Sequence, residues 1–144
     1  MQSGLGAIDF ETAFYERIEP VEVDYDELGH INNAVYVVWA QKLATSHWRH
    51  VANPELQRAY IFVVLRHEAE YRRPLEPGMA IEGRTWLGRA SGPRFERFVD
   101  IRELGAIRGS ALIRTDWCLV DQATRKPKRV PQSILDCFNV TGAG

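Results

Sequence analysis

Cysteine is scarce in this 144-residue chain: only Cys118 and Cys137 occur. Their spacing fits no metal motif and no secretory context accompanies them, so a disulfide framework is excluded and both thiols are expected to be reduced, in a cytoplasmic protein. Long hydrophobic runs are missing too. No window approaches the roughly 18 to 20 apolar residues that a membrane-spanning helix needs, and the opening "MQSGLGAIDFETAF" has neither a basic stretch nor a sustained apolar one, so no signal peptide is read. Neither sign of charge dominates: 18 basic against 19 acidic residues leave a net charge of −1. Such a balance gives no field that would recruit nucleic acid or an anionic membrane. Low-complexity segments and internal repeats are likewise absent. What remains, with 45% hydrophobic residues, is one ordinary globular domain over residues 1–144, long enough to bury a core.

The order of elements follows from periodicity. After a loose N-terminus (Gly4, Gly6), "YERIEPVEVDY" has β character, with Pro20 marking an edge position or a bulge, and the strand is expected to end near Asp24. "DELGHINN" is dense in turn formers. Tyr36, Trp39, Ala40, Leu43, Ala44, His47, Trp48 and Val51 then follow the rhythm of an apolar helical stripe. Val35, Val37 and Val38 thicken it, as in a helix enclosed by other structure. Asn32 or Asn33 is a natural N-cap, and Pro54 ends the helix near Asn53.

From Tyr60 the period changes to two, which puts Ile61, Val63, Leu65, His67, Ala69 and Tyr71 on one face. Three further strands follow: "MAIEGRTWLG", "RFERFVDIREL", with Phe95, Val99 and Ile101 together, and "ALIRTDWCLVD". A basic loop leads to a short terminal helix opened by Pro131. Short connections make the four successive strands antiparallel neighbours. The expected architecture is α+β: a curved antiparallel sheet of about five strands around one long helix, with edges that favour a homo-oligomer.

Asp24 and Asp26 precede Gly29-His30 and the start of that helix. Two solvated turn residues are the plain reading of such a pair. Set against it is the helix N-terminus, whose free N–H groups and dipole favour developing negative charge, so a carboxylate beside it fits acyl transfer. An EF-hand loop from Asp24 is excluded, because its fifth and twelfth positions are Leu28 and Val35. A phosphatase of the haloacid-dehalogenase-like type needs a doubly wound parallel sheet, which the successive hairpins argue against.

"DYDELGHINNAVYVVW" resembles the signature Asp-x-Asp-x-x-Gly-His-Val-Asn-Asn-x-x-Tyr of hotdog-fold acyl-CoA thioesterases, the 4-hydroxybenzoyl-CoA thioesterase family. The resemblance continues in "EYRRPLEPGMAIE", "GRASGPRFER" and "WCLVDQATRKPKRVP", over about residues 15 to 138. It implies hydrolysis of a fatty or aromatic acyl thioester, of coenzyme A or a carrier protein, without metal or further cofactor, in a homodimer or homotetramer whose site lies at a subunit interface. By that resemblance Asp26 matches the catalytic carboxylate, acting as nucleophile or as general base. The thioester oxygen would sit at the helix start, on the backbone N–H of about Asn33. Gly29 would admit substrate close to the backbone, Asn32 would shape the loop, and Tyr36 would line the acyl pocket or belong to the core. Asp24 would order the turn. His30 has two readings: a partner of Asp26 or of the substrate, or a backbone tie. Some relatives carry histidine at the place of Asn33 and tyrosine at the place of Glu22, and this sequence has neither. Arg89, Ser91 and Arg94 match the nucleotide-contacting turn and would meet the coenzyme A phosphates.

Elsewhere the plain readings stand. His67 is expected as a satisfied core or interface histidine, His47 and His50 as partly buried or surface residues, and Arg125, Lys126, Lys128 and Arg129 as a solvated loop. Cys118, in mid-strand, has no positioned base. Two rival functions remain open: a hotdog-fold enoyl-thioester hydratase or dehydratase, for which His30 is the one nearby second acid–base group, and a non-catalytic acyl-CoA or acyl-carrier binding module.

Overall fold

The computed structural model describes residues 13–138, so the expected loose segment around Gly4 and Gly6 lies outside the described residues. Five strands form one antiparallel sheet: β1 (Phe14–Ile18), β2 (Tyr60–Tyr71), β3 (Ile81–Ser91), β4 (Arg94–Glu103) and β5 (Ala111–Asp121). Helix α1 (Asn33–Val51) crosses the concave face, while α2 (Pro54–Ala59) and α3 (Gln132–Cys137) are short. This is the expected α+β arrangement of one long helix on a curved sheet.

The strand order is β1-β3-β4-β5-β2. β3, β4 and β5 are neighbours joined by hairpins, as their short connections require. β2 is not beside β3, contrary to expectation; it pairs with β5 from Tyr60↔Asp121 to Tyr71↔Ala111. The segment 72–80 is too long to act as a tight hairpin, and it carries the chain from one edge of the sheet to β3 near the other.

Three local expectations are corrected. β1 stops at Ile18, before Pro20, and Glu22–Asp24 forms a 3₁₀ turn, so the strand does not run on to Asp24. A bulge between Val64 and Arg66 breaks the parity of β2. Phe62 and Val64 therefore pack inward with Ala69, while Val63 and Leu65 stay 43% and 45% exposed. Finally, Pro54 ends α1 as expected but opens α2, because Asn53 caps the new helix by accepting the Leu56 N–H at 2.8 Å.

α1 buries one stripe, from Tyr36 through Trp39, Ala40, Leu43, Ala44 and His47 to Trp48. Val38, 47% exposed, shows that the helix is covered on one side rather than enclosed. It lies close on β3 at Gly83, where an added Cβ would come within 3.0 Å of Ile18 and Leu43. The core divides in two along α1. Its first half packs Ile31, Tyr36, Trp39 and Leu43 against Ile81, Val99, Ile101 and Ile113. Its second half packs Trp48 and Ala52 against Leu87, Phe95, Trp117, Leu119 and the α3 residues Ile134 and Leu135. The outer face of the sheet is polar in part, with Arg114 paired to Glu96 at 2.9 Å and Asp116 at 3.2 Å.

Candidate active site

The loop between the 3₁₀ turn and α1 is ordered by its own side chains. Asp24 Oδ2 accepts the Val21 N–H at 2.8 Å. Asp26 Oδ1 accepts two backbone donors, Leu28 N–H at 2.9 Å and His30 N–H at 3.1 Å. Such an arrangement fixes the carboxyl plane and leaves the second oxygen, Oδ2, outside the turn. The Asp26 N–H donates to the His30 carbonyl at 2.7 Å, and the Ile31 N–H to the Leu75 carbonyl at 3.0 Å, which ties the loop to the segment after β2. Gly29 has φ 77° with nothing near its absent Cβ, so handedness of the turn accounts for glycine there.

α1 begins in a way that matters for chemistry. Asn32 is its N-cap and Asn33 its first residue; the Asn32 Oδ1 accepts the Ala34 N–H at 2.9 Å. The Val35 N–H donates to the Asn32 carbonyl. The Asn33 N–H has no acceptor among the described residues. It is thus an unused donor at the positive end of a 19-residue helix.

Asp26 and Asn33 line one open cavity of about 360 Å³, together with His30, Ile31, Tyr36, Tyr71, Arg72, Arg73 and Pro74. Tyr36 is buried, and its hydroxyl is pushed up to about 12 by desolvation, partly offset by a hydrogen bond with the Leu75 backbone, so it serves as a neutral aromatic wall. Tyr71 packs on the Tyr36 ring and donates its hydroxyl to the Asn33 carbonyl at 3.1 Å. The His30 Nε2 lies 3.5 Å from Glu76 Oε2. Among the described residues no group of three or more His, Cys, Asp or Glu is gathered as metal ligands.

Of the residues singled out by sequence, Asp26, His30, Asn33 and Tyr36 meet at this cavity, with Gly29 and Asn32 in the framing loop. Arg89, Ser91 and Arg94 are exposed and sit on the β3–β4 hairpin. That hairpin is at the other end of the sheet: β4 runs from Arg94, opposite Cys118, to Ile101, opposite Ala111, about 23 Å away at the usual rise per residue. One chain alone does not bring them to Asp26. The lining residues Tyr71, Arg72 and Arg73 escaped the sequence reading, because only the β2–β5 register and the course of segment 72–80 place them beside the loop. His67 has its Nδ1 2.8 Å from the Thr115 hydroxyl, and burial lowers its pKa.

The model of the thioesterase-like superfamily matches residues 21–138, most of the chain. The chain belongs to the thioesterase-like superfamily. Its class of chemistry is therefore thioester hydrolysis. No curated protein sequence matches it. Among solved structures, a Pseudomonas aeruginosa protein superposes with a TM-score of 0.79 at 18% identity, covering 94% of this chain and 97% of the other. A predicted thioesterase from Bacillus stearothermophilus gives 0.76 at 22% identity, covering 92% and 100%. A Thermus thermophilus thioesterase in complex with coenzyme A and zinc gives 0.75 at 20% identity, covering 87% and 90%. At these identities the superpositions establish the shared fold.

Proposed function

We propose that this thioesterase-superfamily chain hydrolyses acyl-CoA thioesters at the Asp26 cavity, releasing a carboxylate and coenzyme A. The observation that carries this reading is the shared cavity of Asp26 and the acceptor-less Asn33 N–H. The carbonyl oxygen of the thioester takes the Asn33 N–H, where the helix terminus stabilises the negative charge that develops. Oδ2 of Asp26 then serves in one of two ways. It attacks the carbonyl carbon, expelling the thiolate and leaving an anhydride that water cleaves, or it takes a proton from the water that attacks. Coenzyme A as the thiol is supported by the complex seen for the Thermus thermophilus relative. An enoyl-thioester hydratase needs a second acid–base group at the substrate's β-carbon, and the nearest candidate, His30, faces Glu76 instead.

A homo-oligomer belongs to the same proposal. Arg89, Ser91 and Arg94 reach a coenzyme A bound near Asp26 only from another copy, and Val38, Val63 and Leu65 offer apolar surface on α1 and the sheet edge for such a contact. Light scattering at micromolar concentration is expected to show twice the chain mass or more. For the chemistry, Asp26→Asn keeps an acceptor for the Leu28 and His30 N–H groups and removes the charge. Thiol release is expected to fall by about 10² to 10⁴-fold with the circular dichroism unchanged. Undiminished turnover in that variant overturns the assignment.

A further inference from the structure

A second cavity of about 360 Å³ opens at the other end of α1, lined by Ala44, Thr45 and Trp48 of the helix, by Tyr60 and Phe62, and by Phe95, Arg97 and Trp117 of the sheet. Arg97 is 4% exposed, and no carboxylate partners it among the described residues. Its Nη1 contacts His47 Nδ1 at 2.9 Å and donates to the Thr85 hydroxyl at 2.9 Å, and its guanidinium lies 5.4 Å from the Phe138 ring. Because the contact to His47 requires an accepting Nδ1, the imidazole is neutral and leaves the positive charge uncompensated. Burial lowers Arg97 to about 9, which still leaves it charged at neutral pH. The rest of the lining adds a second cation, Arg49, and includes no acid. Trp117 contributes a further donor, Nε1–H, buried without a partner.

A desolvated cation with unused donors in an aromatic wall is costly by itself and selects an anion attached to an apolar body. We propose that this cavity binds a small organic acid, its carboxylate on the Arg97 guanidinium and its apolar body among Trp48, Phe62, Phe95 and Trp117. The planar fork of arginine matches a carboxylate, and the volume is that of a small-molecule site. The acid is a free molecule, because Ala44 to Trp48 stand about 16 to 23 Å along α1 from Asn33, farther than an acyl group held at Asp26 extends.

Titration of the full-length protein with octanoate and with octanamide tests the site, read by the fluorescence of Trp48 and Trp117. Octanoate is expected to saturate and to bind at least about tenfold more tightly than the amide. Arg97→Met is expected to abolish that preference. Thr45→Trp, at the exposed mouth, is expected to weaken octanoate while leaving Arg97 in place, and it decides the matter where Arg97→Met does not fold. Asp26→Asn, which disables the other cavity, is expected to retain octanoate binding in full. Equal binding of acid and amide, or a preference that survives in folded Arg97→Met, overturns the proposal.

Discussion

At the N-terminal end of α1, Asp26 stands on an exposed loop, one carboxylate oxygen held by two backbone N–H groups. Near the other end, Arg97 on β4 is held by His47 and Thr85 and is almost fully buried at the wall of the second cavity. Both are charged groups beside a cavity of the same volume. They differ in what their surroundings do. The loop orders Asp26 with local hydrogen bonds and leaves its side chain open to substrate. The core holds Arg97 by packing, so its charge is costly and its position rigid. Changes at the first end should therefore act on rate, and changes at the second on stability.

The sharpest way to break this contrast is a core truncation at the second end. Leu119 is fully buried in the cluster around Trp48, at the far end of β5 from Ala111. Leu119→Ala is expected to cost about 2–5 kcal/mol in urea denaturation, through lost burial and the cavity left behind. The folded fraction should still release thiol from acetyl-CoA at the wild-type rate. A parallel loss of rate would mean that the two ends are coupled through the sheet.

The second test uses acid. Burial, Arg97 and His50 push His47 down to about 3, from 6.5 in an unfolded chain. Between those values the unfolded chain binds a proton on this imidazole that the folded chain refuses. The contribution is therefore complete above pH 6.5 and is lost as the pH falls towards 3. Melting temperature is expected to decline over that window, and His47→Gln to flatten the decline, with the part due to the similarly lowered His67 remaining. An identical slope in the variant would remove His47 from the account.

The two ends also differed in how far the sequence disclosed them. The helix stripe and the strands over β3, β4 and β5 were legible, because their periods are local. So was the loop of Asp26, whose turn residues and cap lie within ten positions of one another. Arg97 was passed over although it shares inward parity with Phe95, Val99 and Ile101; an arginine in an inward series is a signal that can be read. The rest depended on partners distant in the chain. The bulge at Leu65 reverses the faces of β2, and the β2–β5 pairing brings Tyr71 to the start of α1. Neither leaves a mark in the local pattern, since a one-residue insertion in a strand of mostly apolar and alternating residues changes register and not composition.

The smallest effect is expected where the two kinds of control meet, at Asn32. Its side chain accepts the Ala34 N–H and so stabilises α1, while the neighbouring Asn33 N–H is the proposed oxyanion donor. Asn32→Ala removes the cap and should cost about 1 kcal/mol of stability. Rate should hold, because the Asn33 N–H keeps its place and the Ala34 N–H is released beside it. Asn32→Asp is the complementary change. It restores the cap, and with it the stability, but sets a carboxylate next to the point where negative charge develops, so thiol release should slow. The pair separates structural from electrostatic control: stability drops in one variant and rate in the other. If rate falls in Asn32→Ala and is recovered in Asn32→Asp, the helix start acts only by holding the loop in shape, and the oxyanion role of Asn33 is lost with it.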